Sequence, residues 1–411
     1  MITLDEALAR VIAHAQLLRS STVPLPEALD RVLAEYVVSD VDSPPHDKAM
    51  VDGFAVIAAD LAGGEATLRI VDEVTAGSLP RCAVERGTTS RIMTGAPLPE
   101  GADAVVMVEY SNSASEGAVT LVDADVAPGR HITRRGAVMQ RGAVVLSPGT
   151  QLRHAQIGLL AEVGKCDVAV IPPPRVAVLA TGNELVPYDQ FPGAGKLRNS
   201  NGPMLCSAVR RAGGVPLDLG IAADDRAVLV GRVREGLETD VLLLSGGVSA
   251  GVLDLVPGVL QEMGVREIFH KVALKPGKPL WFGVHEGAVD TGADSSGKPP
   301  TLVFGLPGNP VSSLVTFELI VRPAMSVLTG HGPQGLARVT AVLASDFAQR
   351  GERDAFYPAK VIENDGERLA EPIAWQGSAD LRNLAGADGL IFFPAGDRTH
   401  AAGSEVTVLL F

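Results

Sequence analysis

Four stretches decide the fold: RVAVLATGNEL (175–185), VPLDLGIAADD (215–225), DVLLLSGGVSAG (240–251) and TLVFGLPGNP (301–310). Each opens on a short apolar run with little polar interruption and closes on glycine, a hydroxyl, an amide or a carboxylate. A continuous apolar run of this length reads as a strand buried on both faces. Between the runs, segments 199–212, 226–237, 253–263 and 311–328 have helical texture. Strand, loop and helix in alternation predict a doubly wound parallel sheet covered on both faces. In such a sheet, ligands bind beyond the carboxyl ends of the strands, so the four loops that follow the runs should face one crevice.

Those loops carry the candidate chemistry. Ser245, Gly246, Gly247 and Ser249 form a turn before a helix, where glycines allow close approach of a ligand and successive amides make a nest for an anion. Taken alone, a Gly-rich turn is as often structural as functional. Glu184, Asp224 and Asp254 each sit at or just past a strand end. A pyrophosphate cradled by amides needs its charge neutralised, and Mg²⁺ held by one or two carboxylates does that. A single such acid is more often a helix cap, but three at matching strand ends point to a metal and phosphate site. Lys271, Lys275 and Lys278 surround the stiff turn Lys275-Pro276-Gly277-Lys278-Pro279. Lysine is a compact point charge suited to an oxyanion. Because Lys271 and Lys275 flank the apolar Val272-Ala273-Leu274, the segment reads as a partly buried strand. The Pro307, Gly308, Asn309, Pro310 turn completes the set.

Working outward, Thr3 and Glu6 have the form of a capping box before a first helix, and a second short helix is expected over 26–36. From Val37 short apolar runs alternate with turn residues at 53–57, 68–74, 91–93, 104–109 and 119–122, which predicts a small β-rich unit. It holds Asp47, Lys48 and Asp52 near one turn, Thr94 in another, and three arginines between Arg130 and Arg135. Another helix is expected over 151–164. Pro172-Pro173-Pro174 is a stiff boundary. Past a linker at 330–335, runs at 338–347, 355–362, 390–394 and 405–411 suggest a small β-barrel or sandwich. The small-residue stretch 291–300 reads as a hairpin tip.

Composition limits the function. The 411 residues carry a net charge of -13, which argues against a general nucleic-acid binder. Cys82, Cys166 and Cys206 are widely spaced and read as buried free thiols in a reducing compartment. No run of about 18 apolar residues marks a transmembrane span. Asp5 and Glu6 stand where a signal peptide is basic, so a cytoplasmic protein is expected. The eight His show no metal-ligand spacing and no Ser-His-Asp set.

Six motifs occur in order: 49–55 (AMVDGFA), 93–95 (MTG), 181–185 (TGNEL), 245–249 (SGGVS), 275–279 (KPGKP) and 305–310 (GLPGNP). With them, nearly the whole chain resembles the molybdopterin molybdenumtransferase family, which includes MoeA and the gephyrin E domain. The resemblance implies an elongated homodimer of four-domain subunits. Here these are a discontinuous helical and extended N-terminal domain (1–45 with 142–171), a β-rich inserted domain (46–141), the α/β domain (172–330) and a C-terminal small β-barrel (331–411). It implies insertion of molybdate into adenylylated molybdopterin with release of AMP, using Mg²⁺, and transient contact with other molybdenum cofactor synthesis proteins. Glu184, Asp224 and Asp254 are then expected at the metal, and Lys271 and Lys275 at the oxyanion. Asp52, Thr94, Arg135, Ser245, Gly246, Gly247, Ser249, Lys278, Pro307, Asn309 and Pro310 are expected to bind substrate, those of the β-rich domain acting on the opposite subunit. Two segments depart from the family. Where it often has three arginines followed by Gly-Glu-Asp, this chain has Thr133-Arg134-Arg135-Gly136-Ala137-Val138, and Leu255 and Pro257 follow Asp254. The first departure keeps a second reading open, a non-enzymatic paralogue that binds or delivers the cofactor. A generic phosphotransferase would want a Gly-Lys-Ser/Thr loop, which is absent.

Overall fold

Arg175–Thr181 is a strand buried at every residue but its first. A computed structural model describes residues 1–247, 255–287, 298–364 and 366–411. It divides into two units: Met1–Val23 with Asp30–Ala34 and Ala169–Phe411, and Pro24–Leu29 with Glu35–Val168.

In the first unit, Arg175–Thr181 lies within a six-stranded sheet of order Val215–Ala222, Arg175–Thr181, Val241–Ser245, Thr301–Leu306, Trp281–His285, Arg266–His270. Alternate residues sort onto two cores, as a period of two demands. Val176, Val178, Val241, Leu243 and Phe304 pack with Leu205, Val209, Val311 and Val315 of the helices Asn201–Arg211 and Pro310–Thr316. Ala177, Leu179, Leu242, Leu244 and Val303 pack with Leu229, Val233, Val256 and Leu260 of Arg226–Leu237 and Leu255–Glu262. Each Leu or Val so buried contributes roughly 1.5–3 kcal/mol before the entropy of ordering is subtracted. The sheet is thus doubly wound.

It is not wholly parallel. The first four strands run parallel, but Trp281–His285 is antiparallel to Thr301–Leu306, and Arg266–His270 is antiparallel to Trp281–His285. A parallel pairing needs a crossover of a dozen or more residues, usually a helix. Residues 271–280 form only a tight connection, so the chain must return antiparallel. The strand expected around 271–275 shrinks to Leu274–Lys275, which joins Asp354–Ala355 of the C-terminal sheet instead.

That C-terminal sheet closes on itself. Asp354–Asn364, Glu367–Pro372, Ala337–Leu343, Glu405–Leu410 and Gly389–Phe393 pair in sequence, and Gly389–Phe393 returns to Asp354–Asn364. The result is a five-stranded barrel rather than a sandwich. Glu367–Pro372 has too few apolar residues to be conspicuous in sequence.

Thr3 caps the helix Leu4–His14, its Oγ1 accepting from the Glu6 N–H at 3.2 Å while Glu6 accepts from the Thr3 N–H at 2.9 Å. The helix expected over 26–36 is replaced by a single 3-10 turn, Leu25–Glu27, and the short strands Val32–Leu33 and Val37–Val38. Asp30 stands at φ +62°, outside any right-handed helix, and the β-branched Val32, Val37 and Val38 favour the strands that form instead. Pro310–Leu328 is long and apolar enough to cross a membrane by length and composition, but 78% of it is buried inside the unit, as befits a core helix. The expectation of buried thiols holds only for Cys206, whose thiol burial pushes up to about 11; Cys82 and Cys166 are exposed. Most of the expected hairpin tip at 291–300 lies outside the described residues.

In the second unit a six-stranded sheet has the order Ala104–Met107, Gly53–Val56, Thr88–Ile92, Glu65–Val74, Ala118–Val122, Ser111–Ser115. Phe54, Val56, Leu68 and Val106 fill one face, and Ala55, Val74, Ile92 and Val105 the other. Buried Asp72 accepts from the Arg81 N–H (2.7 Å), from its guanidinium (2.6 and 3.0 Å) and from the Glu73 N–H (2.9 Å). These bonds, the Arg81 backbone amide foremost, lower its carboxyl from 3.8 to about 2. A depressed carboxyl stabilises the fold above its unfolded value and loses that contribution as pH falls through the folded one. The urea midpoint of this unit should therefore drop between pH about 4 and about 2. Asp72→Asn should lower the midpoint at neutral pH and flatten that acid limb. An unchanged limb would rule Asp72 out as its source.

Candidate functional site

Gly182 follows the first strand at φ +142°, and the Glu184 carboxylate folds back over it. A Cβ at 182 would lie 2.3 Å from Glu184 Oε2, so only glycine leaves the carboxylate this position. Next to it, the Asn183 N–H donates to Asp224 Oδ2 (3.1 Å) and the Asp224 N–H donates to Asn183 Oδ1 (3.0 Å). This reciprocal clasp ties the ends of two neighbouring strands together. After the third strand, Gly246 and Gly247 both have positive φ, at +95° and +64°. A Cβ on Gly246 would meet the Thr181 carbonyl oxygen at 2.6 Å. Gly246→Ala is accordingly expected to cost about 1–3 kcal/mol in backbone strain and to push the Ser245 turn out of place. A urea titration reads the first effect and ligand affinity the second; wild-type values for both would show that the turn relaxes freely.

Asn201 joins two of the loops. At the start of helix Asn201–Arg211 and 8% exposed, it donates through Nδ2 to Ser245 Oγ and to the Gly308 carbonyl, both at 2.7 Å. Its Oδ1, like Thr181 Oγ1, is buried without a hydrogen-bond partner among the described residues. Asn201 is a residue that sequence reasoning missed. Its only signal was the Asn-Ser-Asn-Gly run at 199–202, which reads equally well as helix capping.

These loops wall a cavity of about 870 Å³, within the range of small-molecule sites. Glu184, Ser245, Gly246, Pro307, Asn309 and Pro310 line it from the strand ends, and Lys275 and Lys278 from the stiff turn. The barrel side supplies a wall that was not foreseen: Arg353, Trp375 and Ser378. Lys275 Nζ donates to the Arg350 carbonyl (3.1 Å), and Arg353 Nη1 donates to the Leu274 carbonyl (3.0 Å). Asn309 Nδ2 donates to Ser378 Oγ at 2.8 Å. Four cationic side chains, Arg198, Lys275, Lys278 and Arg353, thus meet one carboxylate across a space floored by tight turns. That arrangement favours a polyanion carrying more charge than one carboxylate can repel.

The other expected site residues lie elsewhere. Gly247 backs the turn, with Val256 and Thr181 close to where its side chain would be. Asp224 is exposed and engaged with Asn183, and it does not line the cavity. Lys271 is held by its backbone. At φ +74° it donates to the Leu280 carbonyl at 2.8 Å, and its side chain is not among those lining the cavity. Ser249 and Asp254 lie outside the described residues. In the second unit, Thr94 donates from both N–H and Oγ1 to Asp52 Oδ1, each at 2.7 Å, which holds the Asp52 carboxyl below its ordinary range. There too, Arg135 donates through Nε to Asp42 (2.7 Å) and through its N–H to Asp47 (2.8 Å). Among the described residues, no group of three or more His, Cys, Asp or Glu is placed to hold a metal ion.

Three family models match in order along the chain. They are the MoeA N-terminal region (domains I and II) over residues 2–164, a probable molybdopterin binding domain over 177–327, and the MoeA C-terminal region (domain IV) over 340–411. The molybdopterin molybdenumtransferase of Bacillus subtilis is 34% identical over 417 residues, covering all of this chain and 94% of that protein. That of Staphylococcus aureus is 32% identical, covering 95% of it. Two solved structures of the molybdopterin biosynthesis MoeA protein from Pyrococcus horikoshii superpose over the whole chain. Their TM-scores are 0.82 and 0.78, at 32% and 28% identity, and 99% and 100% of those chains are covered. With full-length relatives above 30% identity and all three regions matched, the chain belongs to the MoeA family, the molybdopterin molybdenumtransferases.

Proposed function

We propose that this protein inserts molybdate into adenylylated molybdopterin and releases AMP, as a molybdopterin molybdenumtransferase of molybdenum cofactor synthesis. The observation that carries the reading is the cavity in which Lys275, Lys278 and Arg353 face Glu184 across the Ser245-Gly246 and Gly308-Asn309 turns. A dianionic oxyanion and a pyrophosphate both need concentrated positive charge, and the lysines with Arg353 provide it from two rigid walls. The turn glycines let the phosphates approach backbone amides. Mg²⁺ would neutralise pyrophosphate charge from a site shared between Glu184 and the substrate's own oxygens. The donor set suits a shared site rather than a protein-only cage, because Glu184 lines the cavity while Asp224 gives one carboxylate oxygen to the Asn183 N–H and keeps the other for the metal. Asp254 and Ser249 are proposed to complete the metal and phosphate contacts.

In this reading the chain works in the cytoplasm as a homodimer of four-domain subunits divided at 1–45 with 142–171, 46–141, 172–330 and 331–411. Asp52, Thr94 and Arg135 of one subunit serve the cavity of the other. Incubation of the full-length protein with adenylylated molybdopterin, molybdate and Mg²⁺ tests the proposal. AMP release that depends on molybdate is expected. Tight pterin binding without such release would overturn it in favour of a cofactor-delivery protein, the reading that the altered 133–138 segment keeps open.

A further inference from the structure

Capping at the start of helix Asn201–Arg211 falls to Asn199, whose Oδ1 accepts from the Gly202 N–H at 3.0 Å. Asn201 is left for another task. Buried, it turns toward the strand ends and gives away both hydrogens of its amide, one to Ser245 Oγ and one to the Gly308 carbonyl. A carbonyl can only accept, so the amide nitrogen must face Gly308 and the side chain has one orientation. The two turns it reaches lie against each other, since a Cβ on Gly308 would meet Gly246 Cα at 3.6 Å.

That orientation dictates what Ser245 can do. Its Oγ receives a hydrogen from Asn201, so its own hydroxyl hydrogen must go elsewhere. No acceptor among the described residues takes it. Ser245 lines the cavity, and the hydrogen is left to point into it. Thr181 Oγ1 stands beside the same turn, 2.8 Å from where a Cβ of Gly247 would lie and 3.2 Å from where one of Gly246 would lie. Thr181 Oγ1 and Asn201 Oδ1 are both buried without a partner among the described residues, and both residues line the cavity. Buried polar atoms of a core are almost always paired. Two hydroxyl donors and an amide acceptor left open on one cavity floor are groups that a ligand completes. The lysines and arginines draw an anion in from a distance, whereas neutral hydroxyls act only in contact and fix its orientation.

We infer that Asn201 is a positioning residue for the pyrophosphate of the substrate. By donating to Ser245 it fixes that hydroxyl as a donor aimed at a phosphoryl oxygen, with the Thr181 hydroxyl beside it as a second donor. Without Asn201, the Gly308 carbonyl loses its own donor and competes for the Ser245 hydrogen, because both groups lie 2.7 Å from the same amide nitrogen. The cavity then faces a lone pair instead of a hydrogen. The inference rests on the molybdenum-insertion reading and adds to it a residue that acts through another.

Inorganic pyrophosphate titrated by calorimetry into the full-length protein tests it, on the wild type, Ser245→Ala, Asn201→Ala and the double variant. Circular dichroism checks that each folds. Each single substitution should weaken pyrophosphate binding by about ten-fold, the contribution of one hydrogen bond to a charged group. In the Ser245→Ala background, Asn201→Ala should add less than about two-fold, because the hydroxyl it orients is already gone. A residue that acted only on the fold, or only on the Gly308 turn, would weaken both backgrounds alike. Should Asn201→Ala fail to fold, the near-isosteric Asn201→Asp replaces it. Its carboxylate accepts the Ser245 hydrogen instead of donating, and it should weaken binding more in the wild-type background than in Ser245→Ala. Losses that simply multiply in the double variant, wild-type affinity in Asn201→Ala, or a wild type that binds no pyrophosphate would overturn the assignment. Molybdate-dependent AMP release by the wild type is measured in parallel. If it occurs while the losses multiply, the function stands without the positioning role. If the two residues are coupled and no AMP is released, the positioning role stands as anion binding and the insertion reaction falls.

Discussion

Lys275→Ala is expected to lower kcat/KM for molybdate-dependent AMP release by roughly 10²–10³-fold, the range typical of losing one preorganised electrostatic contact to a reacting oxyanion. Lys275 is half-buried on the stiff turn, its Nζ is steered by the Arg350 carbonyl, and Arg353 grips the adjacent Leu274 carbonyl. The ammonium is therefore held in place before ligand arrives. The fold should hardly notice the change, because one part-exposed hydrogen bond is lost, worth about 1 kcal/mol. Lys275→Arg should recover little, since a planar guanidinium does not reproduce a point charge on a rigid turn. A variant that kept wild-type turnover would remove Lys275 from the oxyanion site. One that lost its cooperative melting transition would make it a structural residue.

The largest effect on stability is expected from Glu318→Ala. Glu318 and Arg322 pair one helical turn apart inside the core helix, with side chains 5% and 14% exposed. Arg322 Nη2 donates to Glu318 Oε1 at 2.9 Å, and its guanidinium lies 6.0 Å from the Phe317 ring centre. Removing one partner of a buried pair strands the other charge, at a cost of about 3–5 kcal/mol. The double variant Glu318→Leu with Arg322→Leu should recover most of that loss, because the desolvation of both charges goes with the pair. Denaturant unfolding of the three proteins separates the terms. If the double variant is as unstable as the single one, packing around the helix and not the stranded charge is the cause.

The helix that carries this pair shows how far local pattern reaches. Its apolar spacing placed it over 311–328, and it occupies Pro310–Leu328. Pattern also placed the four parallel strands and their burial on both faces, because runs of apolar residues and helical spacing are written in neighbouring residues. It failed where the deciding contact is distant. Leu274–Lys275 looks like one strand of its own sheet but is claimed by Asp354–Ala355 of the barrel. Nothing near Asp224 in the chain marks its clasp with Asn183 on the neighbouring loop. Asn201 looks like a cap and joins two loops instead.

The candidate site divides the same way. Glu184, Ser245, Gly246, Lys275, Lys278, Pro307, Asn309 and Pro310 were legible because turn glycines, prolines and charges declare themselves within a few residues, and strand-end loops of one sheet converge by topology. Arg353, Trp375 and Ser378 were not, because nothing near them in the chain marks them. The sequence by itself determined the alternation, the faces of the sheet and one basic, glycine-rich rim of the cavity. Only the tertiary structure decided the antiparallel return of Trp281–His285, the closure of the barrel and the second wall. These depend on which distant segments satisfy each other's backbone and exclude water together, and no local period encodes that choice.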